Sequence, residues 1–291
     1  MDIFARKNIK PMLLTLGTPF NREDYIYEFK FDGYRCICYI DENEVVLKSR
    51  NNTDFTKKYP ELQDLTDSVN KKCILDGEIV AFGENGPDFA KLQKISRMKN
   101  RSGIDNVYFV VFDILYYDQD DLRTMPLRKR KKIIDTKVKE QGHLIKVKYI
   151  FENGLELYKE AQRLNLEGVV AKDFNSIYES GKRVLYWQKF KFFKVNEFYI
   201  WGVKKEQGII KSVVVFQKKQ NDYIYRGKVN VASAEDKEFL NKFVSLYQTK
   251  EEKYNIKNVI WVKKPILCEI KYKEITNSGS LRHPVLVKIN S

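Results

Sequence analysis

Three charged side chains lie close together in a part of the chain that is otherwise apolar and aromatic. They are Lys30, Asp32 and Arg35, and the stretch 28–35 reads EFKFDGYR. An amine, a carboxylate and a guanidinium at this spacing can converge on one ligand. A lysine amine is a nucleophile only when it is deprotonated, and burial and neighbouring cations lower its pKa toward that state. The stretch therefore predicts either a nucleophilic lysine or a turn that carries a solvated ion pair.

The flanking residues predict how these groups are positioned. Segments 25–29 and 36–40 are rich in β-branched and aromatic residues, as strands are, and Asp32-Gly33 between them is typical of a hairpin or a tight turn. We expect the turn to hold the three charged groups at the edge of a buried sheet.

Two acids interrupt a second apolar strand pattern, at 73–82. Alternation along a strand predicts that Asp76 and Glu78 share one face. A carboxylate among apolar neighbours is costly unless it has a partner, such as a cation, a hydroxyl group or a metal ion. The alternative is a turn at Asp76-Gly77 with both acids on the surface, which the continuing strand pattern disfavours.

Three further segments place polar or aromatic groups in short apolar strands. Phe112 lies in the most apolar one, 107–117, where an aromatic side chain usually belongs to the core. Glu167 and Lys172 bracket the segment 166–172. Lys189 and Lys191 share one face of the strand 187–192.

Composition limits the class of protein. The 291 residues are 43% hydrophobic and 13% aromatic, enough for one large or two medium cores. A net charge of +14 favours a polyanionic partner such as nucleic acid, although charge alone also allows an anionic membrane. There is no apolar run of membrane-spanning length and no signal-like N-terminus, which predicts a soluble intracellular protein.

Cysteine and histidine usage narrows the chemistry. The four cysteines form no C-x-x-C pair and lie mainly in apolar runs, so we interpret them as core thiols. With only two histidines, far apart, the chain is a poor candidate for a Ser-His-Asp mechanism or a histidine-rich metal site. Any metal would be a hard ion held by carboxylates and phosphates.

Five of these segments, in the same order, resemble the nucleotidyltransferase motifs of ATP-dependent DNA ligases, RNA ligases and mRNA-capping enzymes. They read KFDGYR at 30–35, DGE at 76–78, FDILY at 112–116, EGVVAK at 167–172 and KFK at 189–191. The connecting sequences PMLLT at 11–15, SRNNTDFT at 49–56 and SIYESGKR at 176–183 are similar to those of the ligase domain of bacterial end-joining ligases. The chain is thus identified as a member of the ATP-dependent DNA ligases, in a minimal two-domain form.

The resemblance implies a role for each motif residue. Lys30 would carry AMP covalently, with Asp32 and Arg35 in the same catalytic group. Residues implied to bind ATP or AMP are Glu28, Glu78, Phe112, Lys172, Lys189 and Lys191. Glu78 and Glu167 would lie near the metal, Mg²⁺ or Mn²⁺, and Arg35 and Arg50 would hold the 5′-phosphate of a nick.

The resemblance also implies the fold and the partners. It predicts an α+β chain, with a nucleotidyltransferase (ATP-grasp-like) adenylation domain of antiparallel sheets and helices at 1–194 and an OB-fold β-barrel at 195–291. Short alternating strands from residue 195, interrupted by a helix at 234–247, agree with a barrel. Net charge is +6 over 1–194 and +8 over the shorter 195–291.

The expected partner is nicked double-stranded DNA. The protein is expected to be a monomer in the bacterial cytoplasm or nucleoid, or in a phage-infected cell. Ku is a further partner by resemblance only.

Three smaller expectations follow. We interpret the basic segment 126–135, which opens a helix running to about residue 140, as a solvated helix face. Asp88 and Asn153 are the expected N-caps of two other helices, the first ending before Gly103. The sequence LRHP at 281–284 matches the bacterial family, but the family's R-x-D-K ending is not seen after it. This difference allows three expectations. Self-adenylylation is slow, or Arg282 and Lys288 substitute for the ending, or the protein acts on DNA that is already adenylated.

Two other classes stay open, and so does the pathway. An RNA ligase or capping enzyme shares the lysine chemistry, although the FDILY strand and the connecting loops look like those of DNA ligases. A nick-binding module without catalysis is the second, and the retained charged residues argue against it.

The choice of pathway among end joining, base-excision or other nick repair and phage-type replication stays open. The sequence shows no additional DNA-binding domain, so we expect loop ordering or a partner to help enclose the DNA.

Overall fold

The computed structural model describes residues 3–84, 86–98, 106–220, 222–252, 254–276 and 278–290. The chain divides into two compact units, Met1–Lys191 and Phe192–Ser291. The α+β class is confirmed. The assignment of 1–194 to an adenylation domain and 195–291 to an OB-fold domain stays a prediction.

Strands dominate the described part of the larger unit. They are β1 (Leu13–Leu16), β2 (Tyr25–Lys30), β3 (Tyr34–Ile40), β4 (Val45–Ser49), β5 (Cys73–Gly83), β6 (Gly86–Pro87), β7 (Val107–Tyr117), β8 (Asp120–Asp121), β9 (Leu144–Lys146), β10 (Tyr149–Phe151), β11 (Gly168–Asp173) and β12 (Arg183–Lys191). The helices are α1 (Ile3–Arg6), α2 (Phe89–Arg97), α3 (Leu127–Lys137) and α4 (Gly154–Arg163), with 3₁₀ segments at Thr56–Lys58 and Pro60–Ser68.

Within the described residues these strands form two sheets. One has the order β1-β12-β11-β2-β10, and the other has the order β4-β3-β5-β7-β8, with β6 beside β5 and β9 beside β7. The pairs are antiparallel except β1 with β12 and β7 with β9. Strand β3 shows how the cores are separated: Cys36 and Cys38 point into one buried cluster, and Ile37 and Tyr39 point into another that also contains residues of the first sheet.

Of the two alternatives predicted at Asp32-Gly33, a hairpin or a tight turn, the hairpin is wrong. Strand β2 belongs to the first sheet and β3 to the second, so the turn carries the chain from one sheet to the other. Glycine is needed there because a Cβ on Gly33 would lie 2.2 Å from the carbonyl oxygen of Ile79. As a result Lys30 ends a strand of one sheet while Arg35 lies near the start of a strand of the other.

The predicted helices are present with small differences. Asp88 caps α2, where its Oδ1 accepts a hydrogen bond from Lys91 N at 2.9 Å. Asn153 precedes α4 but makes no capping hydrogen bond; instead Asn21 Oδ1 accepts from Leu155 N at 2.8 Å. Helix α2 ends at Arg97, and the predicted limit at Gly103 lies outside the described residues.

The smaller unit contains β13 (Lys194–Glu206), β14 (Ile209–Lys219), β15 (Asp222–Asn230), β16 (Gln248–Thr249), β17 (Ile260–Tyr272), β18 (Val285–Asn290) and α5 (Ala234–Tyr247). In its described residues the antiparallel sheet has the order β15-β14-β13-β17-β16, with β18 beside β17. Leu240 and Val244 of α5 pack into the buried core that the inner face of the sheet forms. This architecture agrees with an OB-type barrel.

The helices and the cysteines show two further features of the chain. None of the helices in the described ranges is long and apolar enough to cross a membrane. Cys36, Cys38, Cys73 and Cys268 are buried free thiols, as predicted.

Candidate active site

An apolar pocket lies between the two sheets of the larger unit. Its volume is about 400 Å³, counting its open mouth. The lining residues are Leu14, Glu28, Phe29, Lys30, Phe31, Arg35, Glu78, Phe112, Val147, Val170, Lys172 and Trp187. Phe112 is on β7 of one sheet. Glu28 on β2 and Val170 on β11 are paired neighbours in the other sheet. The pocket thus brings together four of the predicted nucleotide-binding residues.

Glu28 is the buried acid of this pocket, with 2% of its surface exposed. Its Oε2 lies 2.6 Å from Lys172 Nζ, and its Oε1 lies 2.5 Å from Lys131 Nζ. The pKa of Lys172 is lowered to about 8, chiefly by burial and also by the charge of Lys131, while the charge of Glu28 opposes the shift. Lys131 was not among the predicted site residues.

Phe112 forms a flat wall of the pocket. The guanidinium carbon of Arg35 is 4.2 Å from its ring centroid, and Lys172 Nζ is 4.5 Å from the same centroid. The electron-rich face of the ring attracts both cations. A buried aromatic wall with charged groups beside it suits a planar heterocycle held by stacking and a few hydrogen bonds.

Lys30 forms the centre of a compact charge cluster. Its Nζ lies 2.6 Å from Glu167 Oε2, and Lys191 Nζ lies 2.5 Å from Glu167 Oε1. The strand register explains this arrangement, because Gly168 pairs with Lys30 on one side and Lys191 on the other. Gly168 has φ +150°, and a Cβ there would come within 1.9 Å of Phe190 O. Only glycine therefore allows this three-strand approach.

The expectation of a lowered Lys30 pKa is wrong for the protein without nucleotide. Burial lowers the pKa of Lys30, but the carboxylates of Glu167 and Glu78 outweigh burial, and Asp32 adds to their effect. The net direction is upward. Lys30 is therefore an ammonium group in this state, and it has to lose its ion pair and its proton before it can act as a nucleophile.

Glu78 is an acid that lines the apolar pocket and also a second, neighbouring cavity. It is partly buried, and burial raises its pKa to about 7, while the charges of Lys30 and Arg35 oppose that rise. Among the residues that the structure describes, no three His, Cys, Asp or Glu side chains are grouped to hold a metal. Glu78 and Glu167 supply two carboxylates, which fits Mg²⁺ because this ion usually takes one or two carboxylates together with substrate phosphates.

Arg35 is held in place by a buried network. Its Nε and Nη2 donate to the two carboxylate oxygens of Asp76, both at 2.6 Å. Tyr178 donates to Asp76 Oδ2 at 2.5 Å and accepts from Met12 N at 3.0 Å. Asp76 is fully buried, so the predicted need for a partner is met by Arg35. The Nη1 donors of Arg35 remain for a further ligand.

A second cavity, the basic chamber, adjoins the apolar pocket through Lys30, Arg35 and Glu78. Its lining consists of Pro11, Met12, Leu13, Leu14, Lys30, Arg35, Arg50, Glu78, Arg183, Lys189 and Lys191. Arg50 is exposed in the turn after β4. Burial and the neighbouring charges of Lys191 and Lys30 lower the pKa of Lys189. Six cations against one acid make the chamber suitable for phosphate groups.

Sequence reasoning missed one residue that lines the basic chamber, Arg183, and one that contacts Glu28 of the apolar pocket, Lys131. Arg183 lines the basic chamber and donates from Nη1 to Leu14 O. Lys131 belongs to the basic segment 126–135, interpreted from the sequence as a solvated helix face. That interpretation is wrong for residues 130 and 131. Arg130 and Lys131 are 0% and 2% exposed. A signal was available, because Leu127 and Ile134 place 130 and 131 on the apolar side of the helix.

Comparisons with known proteins agree with this geometry. Residues 10–191 match the family model described as ATP dependent DNA ligase domain, and residues 206–291 match the one described as ATP dependent DNA ligase C terminal region. The SPbeta prophage-derived DNA ligase-like protein LigB of Bacillus subtilis is 32% identical over 95% of this chain and 97% of its own length.

A mycobacterial sequence and a mycobacterial structure are also similar to this chain. The multifunctional non-homologous end joining protein LigD of Mycolicibacterium smegmatis is 30% identical over 96% of this chain, which spans only 38% of that protein. The structure of mycobacterial DNA ligase D complexed with ATP and MES is 27% identical, with a TM-score of 0.60 and coverage of 98% of this chain and 95% of that one. By its matched domains and its full-length similarity to LigB, the chain belongs to the ATP-dependent DNA ligase family.

Proposed function

We propose that this ligase seals nicks with a 5′-phosphate and a 3′-hydroxyl in duplex DNA, through lysyl-AMP on Lys30 and then a DNA-adenylate. The observation that carries the proposal is the position of Lys30. Its side chain lines both the apolar pocket and the basic chamber. A nucleotide with its base in the pocket and its phosphates in the chamber would present its α-phosphate at this junction.

In the first step the base of ATP stacks on Phe112, and its amino edge faces Glu28. Lys30, freed from Glu167 and deprotonated, attacks the α-phosphorus, a P–N bond forms and pyrophosphate leaves. Lys189 and Lys191 neutralise the charge that develops on the phosphate oxygens. Lys172 holds Glu28 beside the base.

Mg²⁺ is the ion that the site fits, with Mn²⁺ as an alternative, and Glu78 and Glu167 are the residues that would hold it. When bound, it would supply positive charge to the nucleotide phosphates. Protonation of Glu78, with its pKa at about 7, would weaken this binding.

In the later steps AMP passes from Lys30 to the 5′-phosphate of the nick. Arg50 and the Nη1 donors of Arg35 hold that phosphate. The 3′-hydroxyl then attacks it and AMP leaves, with Asp32 helping to orient the hydroxyl. The net positive charge makes duplex DNA a suitable substrate, and its binding would weaken with rising salt.

The setting is also part of the proposal. Similarity to LigB and LigD supports a role in bacterial DNA repair, end joining or recombination, or in a phage-infected cell. A monomeric state, a cytoplasmic or nucleoid location and Ku as a partner stay predictions.

The test is transfer of label from α-³²P-ATP to the protein in the presence of Mg²⁺, followed by a chase with nicked DNA. Lys30→Arg keeps a cation beside Glu167 but supplies no amine that can be deprotonated. We expect label on the wild type and on the control Lys129→Arg, an exposed lysine, and none on Lys30→Arg.

The chase should move the label from the protein to DNA and release AMP on sealing. Labelling of Lys30→Arg at the wild-type level would overturn the proposal. Tight nick binding by a wild-type protein that takes up no label and seals no nick, pre-adenylated or not, would indicate a nick-binding module.

A further inference from the structure

We propose that Lys131, on helix α3, is a positioning residue that fixes Glu28 for recognition of adenine and against guanine. This inference rests on the proposed function, since it concerns the nucleotide that Lys30 attacks. The observation behind it is a lysine from outside the motif segments that reaches the buried acid of the apolar pocket.

The contact is short and buried on both sides. Lys131 Nζ is 2.5 Å from Glu28 Oε1, and the two side chains are 2% and 3% exposed. Lys172 takes the other oxygen, Oε2, at 2.6 Å. Each carboxylate oxygen is thereby fixed by one ammonium group, so the plane and the charge of Glu28 are defined before a ligand enters.

Neighbouring residues aim Lys131 at this position. Arg130, the preceding residue, is fully buried and binds both oxygens of Asp113 on β7, at 2.8 and 2.9 Å, and Ser176 O at 3.1 Å. Tyr149 on β10 lies opposite Glu28 on β2, and its ring centroid is 5.1 Å from Lys131 Nζ. Lys131 is thus anchored through the helix and flanked by an aromatic ring.

The fixed carboxylate can distinguish the two purines. A carboxylate oxygen has two lone-pair directions, so one remains on each oxygen of Glu28 after the lysines are bound. Adenine presents an amino group on C6, which donates to such a lone pair, whereas guanine presents a carbonyl oxygen, which a carboxylate repels. If Lys131 is lost, Glu28 keeps one partner and can turn away from the base.

The experiment measures self-adenylylation and self-guanylylation with labelled ATP and GTP. For Lys131→Met we expect the KM for ATP to rise about tenfold and the preference for ATP over GTP to fall by a similar factor. Lys132→Met, an exposed neighbour, is the control with no expected change.

A double-mutant cycle separates positioning from a structural defect. If Lys131 acts through Glu28, Lys131→Met has no further effect on the ATP over GTP preference in a Glu28→Gln background. Equal losses in both backgrounds, or an unchanged preference in Lys131→Met, would overturn the inference. A wild-type protein that forms no nucleotidyl adduct with either nucleotide would instead refute the proposed function.

Discussion

Replacing Glu167 by glutamine tests whether this acid holds together the charge cluster that it forms with Lys30 and Lys191. Burial would raise the pKa of Glu167, but the charges of Lys30 and Lys191 outweigh it and lower the pKa from 4.5 to about 2. Its side chain is 5% exposed, so solvent screens the pairs little. A shift of this size corresponds to about 3 kcal/mol of folding free energy near neutral pH. Glu167→Gln removes that contribution and leaves two neighbouring lysines without their anion.

The pH dependence has a defined sign. Because the folded-state pKa of Glu167 lies below the unfolded-state value, its stabilisation is complete above about pH 5 and is lost as the pH falls toward 2. At about pH 4 roughly 1 kcal/mol of the difference between wild type and Glu167→Gln should be gone.

The assay is urea unfolding of nucleotide-free proteins, followed by circular dichroism at about pH 7 and about pH 4. Glu156→Gln, an exposed acid on α4, is the matched control and should change the free energy of unfolding by less than about 0.5 kcal/mol. A loss below about 1 kcal/mol for Glu167→Gln at neutral pH, or a difference that grows on acidification, would refute the reasoning.

Two further predictions concern groups near the pocket. Arg130→Met leaves the fully buried Asp113 without its cation and should lower the free energy of unfolding by about 3–5 kcal/mol, measured in urea. Exposed Lys129→Met should change it by less than about 0.5 kcal/mol, and a comparable loss in both would argue against the buried pair. Because burial raises the pKa of Glu78 to about 7, Mg²⁺ affinity in the presence of a non-hydrolysable ATP analogue should rise with pH across that value. In calorimetric titrations Glu78→Gln should lose this rise, and a rise that persists in the variant would assign it to another group.

The sequence predicted most of the candidate site because its residues are tied to local motifs. The short strands around 28–30, 167–172 and 189–191 pair with one another, so motif residues that are distant in the chain become neighbours in the register. Phe112 and Glu28 line one pocket from two different sheets, and each lies in a strand that carries a motif. Their roles in catalysis and binding remain predictions.

What the sequence did not predict depends on contacts between distant elements. A two-residue turn such as Asp32-Gly33 has the same local signal whether it returns a strand to its own sheet or passes it to another. A run of basic residues is usually solvated, and the buried acids Asp113 and Glu28 supply the partners that allow Arg130 and Lys131 to be buried. Likewise, the direction of the Lys30 pKa was set by Glu167, which is far away in sequence.

The most direct test of the central claim is tandem mass spectrometry of the protein after incubation with ATP and Mg²⁺. The account predicts one AMP per chain, joined to Nζ of Lys30 and discharged when nicked DNA is added. AMP on a different residue, or sealing of nicks by ATP without any adduct on Lys30, would contradict it.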